Sequence, residues 1–385
     1  MKQMYDVVVV GAGPCGSAAA GACAEAGMKT LCIEEHATIG YPVQCAGLLS
    51  TAAFAECRVG DAPVIWKVQG ARMISDHGSE LLFDARETKA VVVDRGRLDL
   101  EMAKSAADAG AEFRLKTSVT GISGNEVKTV GADGMEHIPF RMLIAADGPR
   151  NALARMHGMH RSPIYLSGVQ AEMPYEMDGR YVELYPSASP DFFGWAIPSG
   201  DGRARIGLCG GHDVPERFST FSRRFGSSCL HLVTGTIPLG VMPRTYGHRT
   251  LFVGDAAGFP KPTSGGGVYT GVRSARYAAR VAARCCAEGD FGDSALSEYE
   301  SLWKADFGRE LKLGLHLLRL RQSLNPVQID DLCQKLNDPR VIETVVRYGD
   351  MDRPSELVRR LCTQPALFRT LGALIRHEMG NIMNY

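Results

Sequence analysis

The chain has 385 residues, 45% hydrophobic and 22% charged, with 43 basic and 43 acidic side chains. Such a composition supports large apolar cores, the length suits about two or three domains, and the balanced charge with no basic stripe argues against a nucleic-acid partner. No apolar run approaches the roughly 18 residues that span a bilayer. The opening MKQMYDVVVV reads as a buried strand and not as a secretory leader. The eleven cysteines contain no CxxC pair and no zinc-finger spacing, so they read as free thiols of a reducing cytoplasm, and no metal is expected.

In chain order, Tyr5 to Val10 is a predicted strand, Pro14 to Ala26 a helix of small residues, and Lys29 to Glu34 a second strand. That order implies a parallel sheet with a crossover helix. Residues 62–95 alternate like strands and end in Ala90 to Val93; Arg97 to Gly110 is a helix; Met142 to Ala146 is a short strand ending at Asp147-Gly148. Residues 151–245 alternate short strands with Pro/Gly turns, as an antiparallel sheet does, and Arg249 to Val253 is another buried strand before a helix at 267–287. The remainder reads as helices broken near Pro326, Pro339, Pro354 and Pro365. The expected fold is α/β: a discontinuous nucleotide-binding domain (1–60, 90–150 and 246–292), an inserted antiparallel-sheet substrate domain (61–89 and 151–245), and a helical C-terminal region (293–385).

Gly11-Ala12-Gly13-Pro14-Cys15-Gly16 follows the first strand and opens the helix. Gly11 permits the tight turn, Gly13 the approach of a pyrophosphate, and Gly16 the packing of helix on strand, while the helix N-terminus faces the phosphates. Glu34 ends the second strand where a carboxylate accepts ribose hydroxyls, and its charge disfavours a 2′-phosphate, leaving FAD or NAD. Gly254-Asp255 decides between them: an Asp at such a turn suits the ribityl hydroxyls of a flavin, and Gly265, Gly266 and Gly267 offer amides at the next helix start. The expected cofactor is FAD. No second strand–GxGxxG–helix unit occurs, so electrons are expected from a transient NADPH, another reduced cofactor or a small electron carrier.

These segments, with Tyr41-Pro42-Val43-Gln44-Cys45-Ala46-Gly47, Asp94-Arg95-Gly96-Arg97-Leu98-Asp99, Ala146-Asp147-Gly148, Pro262 to Gly267 and the stretch from Tyr299 to Lys312, resemble the geranylgeranyl reductase family of p-hydroxybenzoate hydroxylase-like flavoproteins over nearly the whole chain. The chain looks most like the archaeal branch. The resemblance implies FAD-dependent reduction of carbon–carbon double bonds in the prenyl chains of membrane ether lipids. It also implies FAD contacts at Cys15, Glu34, Cys45, Ala46, Arg95, Val119, Asp255, Gly267 and Val268; Gly47 belongs to the same loop as Cys45. Cys15 and Val119 stand where relatives look like alanine, so only backbone contact is implied there. Phe193, Trp195, Ile197 and Pro198 resemble the family's aromatic-x-Trp-x-apolar-Pro wall of the prenyl cavity, with Phe where Tyr is usual and Ile where Phe is usual.

A prenyl double bond is electron-rich, so its reduction needs a proton donor beside a hydride source, in a dry apolar site. Cys45 is the catalytic candidate; proton donor, substrate wall, backbone contact and inert thiol all remain open for it. Leu311 to Leu320, with Lys312, Arg319 and Arg321, suits packing on the nucleotide domain, covering the cavity or peripheral contact with a membrane. The alternatives are a flavin monooxygenase or halogenase, whose paired-Trp motif is half present, and a quinone-linked electron-transfer flavoprotein, whose clustered cysteines are missing.

Overall fold

The computed structural model describes residues 4–76 and 78–363. The first strand, Tyr5–Val10, lies between the parallel strands Gly134–Ala145 and Thr30–Ile33, and Thr250–Phe252 and Glu112–Arg114 extend the sheet on either side. Val7, Val8, Val9, Leu31 and Ile144 are wholly buried, as continuous apolar runs must be when helices cover both faces of a parallel sheet. The Pro14–Glu25 helix is so rich in small residues that a side chain on Gly21 would touch Ala106 of the Arg95–Asp108 helix at 3.3 Å. The Val268–Glu288 helix packs against it as well.

A second sheet runs in the order His231–Leu239, Ile164–Pro174, Arg203–Gly210, Gly194–Gly200, Tyr181–Tyr185, Gly70–Ile74, Glu80–Asp84. Its neighbours are antiparallel except where Gly70–Ile74 joins Tyr181–Tyr185 in parallel. One face packs on the Val214–Ser222 helix through Ala204, Ile206, Leu208 and Phe221. Alternation along the strands turns the other face toward the first sheet. A small antiparallel sheet of Leu48–Ser50, Ala90–Val93 and Val64–Val68 stands beside them.

Three sequence expectations are corrected. The helix expected from Arg97 begins at Arg95, because Asp94 accepts from the Arg97 N–H at 3.1 Å and caps it. The short strand at 142–146 is the end of a long one, Gly134–Ala145, whose polar first half pairs with Glu126–Gly131 as a hairpin. The Val214–Ser222 helix was expected as turn and strand; Pro215 sits in its first turn, where a missing N–H costs nothing. The helices are interrupted near Pro326, Pro339 and Pro354 as expected, with Pro326 and Pro339 opening the next helices, Pro326–Leu336 and Pro339–Tyr348. The break expected near Pro365 lies outside the described residues.

Candidate functional site

A cavity of about 1090 Å³ lies between the C-terminal ends of the parallel strands and the inner face of the second sheet. Open α/β sheets bind ligands at that edge. Sixteen of the expected site residues line it: Gly11, Gly13, Cys15, Glu34, Cys45, Ala46, Arg95, Val119, Asp255, Gly265, Gly266, Gly267, Val268, Phe193, Trp195 and Ile197.

The three motif glycines differ in what they do. Gly11 has φ +99°, and a side chain there would overlap the Ala146 carbonyl. A side chain on Gly16 would overlap the Gly11 carbonyl, so Gly16 lies beneath the turn and not on the cavity wall. At Gly13 a Cβ would meet nothing within 4 Å. Gly13 is also the N-cap of the Pro14–Glu25 helix and supplies no capping side chain, which leaves the first helical amides open to an anion.

Glu34 is held from three sides. Its Oε2 accepts from the Ala12 N–H at 2.8 Å, and its Oε1 accepts from the His36 N–H at 2.9 Å and lies 2.7 Å from His36 Nδ1. His36, which the motif does not predict, thus orients the carboxylate and shares the cavity wall. Cys15 turns its thiol away, against the backbone of Gly254 and Gly271, and burial pushes that thiol up, as befits a packing group. The Asp255 carboxyl makes no hydrogen bond or ion pair among the described residues, and burial pushes it up to about 6 against the pull of Arg95. Asp147 is also held up to about 6 by burial; one oxygen accepts from the Leu153 N–H at 3.0 Å and the other is buried without a partner. Across the cavity, Gly265 has φ +71° and Gly267 begins the Val268–Glu288 helix, again without a capping side chain.

At the far end, Cys45 follows the Tyr41-to-Gln44 loop. The Gly47 N–H donates to its Sγ at 3.3 Å. Gly47 itself faces away from the cavity, toward Arg205, whose Nη1 donates to the Ala46 carbonyl at 2.6 Å and the Val93 carbonyl at 3.1 Å. Arg95 is engaged by Asp99 through two hydrogen bonds of 3.0 and 3.1 Å. Phe192 stacks on Phe193 at 4.4 Å, Phe193 meets the Trp195 edge at 6.2 Å, and Trp195 Nε1 donates to Gln170 Oε1 at 2.9 Å. Pro198, expected on this wall, is turned off it: Trp195 and Ile197 share the cavity face, while Ala196 and Pro198 point to the opposite one. Leu317, Leu318 and Arg321 from the Arg309–Gln322 helix, with Val345, Val346 and Leu357 beyond it, also line the cavity. Arg321 donates to the carbonyls of Pro186, Ser189, Phe192 and Pro190, which ties that helix to the aromatic wall.

These groups fit FAD. Uncapped helix amides beside Gly13 suit a pyrophosphate, Glu34 a ribose, and the unpartnered Asp255 carboxylate has acceptor capacity for hydroxyls. Among the described residues no cluster of His, Cys, Asp and Glu could hold a metal ion, and no helix is long and apolar enough to cross a membrane.

Residues 5–162 match the pyridine nucleotide-disulphide oxidoreductase family. Digeranylgeranylglycerophospholipid reductase 2 of Methanothermobacter thermautotrophicus is 30% identical over 355 residues, which cover 86% of this chain and 91% of that protein. Among solved structures, a geranylgeranyl bacteriochlorophyll reductase-like protein from Thermoplasma acidophilum superposes with a TM-score of 0.83 at 26% identity, covering 94% of this chain and 99% of the other. The flavin-dependent brominase Bmp2 reaches a TM-score of 0.73 at 18% identity, covering 98% and 100% of the two chains, a likeness of fold alone. With the cofactor frame and its apolar neighbour in place, the chain belongs to the digeranylgeranylglycerophospholipid reductase family of FAD-dependent oxidoreductases.

Proposed function

We propose that this enzyme saturates the carbon–carbon double bonds of geranylgeranyl chains carried by archaeal-type membrane ether lipids. One observation carries the reading: the FAD frame and an aromatic, apolar wall belong to a single cavity, so an apolar chain and the cofactor share one space. Burying a prenyl chain there gains about 0.8 kcal/mol per CH₂, which makes the length and shape of the wall the main source of affinity.

Bound FAD in its reduced form supplies hydride. The chain's own residues do the rest. Phe192, Phe193, Trp195 and Leu318 exclude water from the reacting bond, and the aromatic faces favour positive charge developing on it. Gln170 fixes the Trp195 ring through its indole N–H. Cys45, on the cavity wall, holds a proton at Sγ for delivery to the double bond. The reductant is external and transient: NADPH, another reduced cofactor or a small electron carrier. The lipid is taken from a membrane surface by an enzyme that is otherwise cytoplasmic.

Photoreduced enzyme incubated without oxygen with a digeranylgeranyl glycerophospholipid is expected to give products heavier by pairs of hydrogens, read by mass spectrometry. No mass gain without oxygen, together with oxygen or halide incorporation in air, would replace this reading with a monooxygenase or halogenase.

A further inference from the structure

Arg205 joins the two halves of the site. Its strand belongs to the second sheet, yet its Nη1 reaches the Ala46 and Val93 carbonyls, at 2.6 and 3.1 Å. Ala46 adjoins Cys45, and Val93 ends the strand that leads through Asp94 to Arg95. Gly47 has φ +74°, and a side chain there would overlap Arg205 Nη1, so the loop and the guanidinium fit together only with glycine at that position. The Gly47 N–H, in turn, holds Cys45 Sγ. A single guanidinium thus ties the loop that presents the thiol to the end of the Ala90–Val93 strand.

Its charge differs from that of the other arginine at Cys45. Arg95 is paired with Asp99, whose carboxylate accepts two hydrogen bonds from it. Arg205 forms no ion pair among the described residues. Two acids face it without bonding it: Glu172 accepts from Ser199 Oγ at 2.9 Å, and Asp94 caps the Arg95–Asp108 helix. Burial draws the Arg205 guanidinium down from its ordinary value, while Cys45, Glu172 and Asp94 oppose that, and an arginine so placed stays charged.

We propose that Arg205 is the positioning residue for Cys45: it fixes the 45–47 loop at the cavity wall and keeps a positive charge beside the thiol. When the S–H bond breaks and the proton passes to a substrate carbon, the thiolate left behind is held by that charge until solvent returns the proton. The proposal rests on the reading of Cys45 as the proton-delivering group, but its test does not require prenyl reduction.

The test compares Arg205→Gln, which keeps an N–H for the Ala46 carbonyl but no charge, with Arg205→Lys, which keeps the charge. Iodoacetamide alkylation of Cys45 in the holoenzyme is followed across a pH series by peptide mass spectrometry, since the thiolate is the species that reacts. The Gln variant is expected to alkylate at Cys45 about tenfold more slowly than the wild type on the rising part of the profile, and the Lys variant to stay close to the wild type. FAD content is expected to hold in both. Turnover of the lipid is expected to fall about tenfold in the Gln variant with KM nearly unchanged, the pattern of a lost transition-state interaction. A Gln profile that superposes on the wild type overturns the proposal. So does a change confined to the plateau rate, which reports access alone. Both failures leave prenyl reduction standing, and absence of prenyl reduction leaves the alkylation result standing.

Discussion

At the scale of single residues, Asp255 sets a conflict between stability and binding. Its carboxyl is buried and unpartnered, which raises its folded value from 3.8 to about 6. For an acid shifted upward, the stabilising contribution is complete below pH 3.8, where the group is neutral folded or unfolded, and is lost as pH rises through about 6. A shift of that size corresponds to about 2–3 kcal/mol. Apo Asp255→Asn is therefore expected to be more stable than apo wild type by about that amount at pH 8, with the gap closing toward about pH 4. The same change removes one acceptor oxygen and is expected to weaken FAD by about tenfold. Urea denaturation of the apoproteins at the two pH values, with FAD titration at pH 8, reads both effects. An apo variant less stable than wild type at pH 8 would mean that Asp255 has a partner in the empty site.

Among elements, the strand–turn–helix unit separates folding from binding at adjacent glycines. Gly13 has φ −67° and ψ −175°, a conformation open to any residue, and its missing side chain borders only the cavity. Gly13→Val is expected to cost the apoprotein about 1 kcal/mol as a poorer N-cap, yet to purify without flavin. Gly11→Ala and Gly16→Ala, which force backbone apart, are expected to lose the fold. The flavin-to-protein ratio and a denaturation curve distinguish the two outcomes. This unit was legible in the sequence because its signal is local: apolar run, GxGxxG, small-residue helix, then Glu34. The Glu126–Gly131 hairpin and the Val214–Ser222 helix were not, since one has a polar exposed face and the other opens with a proline that also marks turns. His36 and Gln170 carried no spacing signal. Arg205 and Arg321 act on residues more than a hundred positions away, a relation visible only once the two sheets are folded together.

For the whole molecule, the fold does not select the chemistry, because a brominase shares it at a TM-score of 0.73. The C-terminal helices line the cavity in this chain, and one buried pair helps to hold them there. Lys261, in the loop that leads to the three glycines, donates to Asp352 and, at 2.9 Å, to the Met351 carbonyl. Ser50, beyond the Cys45 loop, donates to the other oxygen of Asp352. Side-chain exposure is 8% for Lys261 and 2% for Asp352, so neither charge has water to fall back on. The segment they pin, Gly349 to Pro354, connects the Pro339–Tyr348 helix to the Ser355–Cys362 helix and lines the cavity itself. Removing one partner strands the other charge, so Lys261→Met is expected to cost about 3–5 kcal/mol. Removing both, as in Lys261→Met with Asp352→Leu, is expected to recover most of that loss, because the desolvation of two ions disappears together with their attraction. Urea denaturation of the two variants measures the recovery. If the cost arises where the pair sits, limited proteolysis of the single variant is expected to cut first within residues 326–363. Uniform cleavage along the chain would instead assign the loss to the cofactor loop and detach the C-terminal helices from the enclosure of the site.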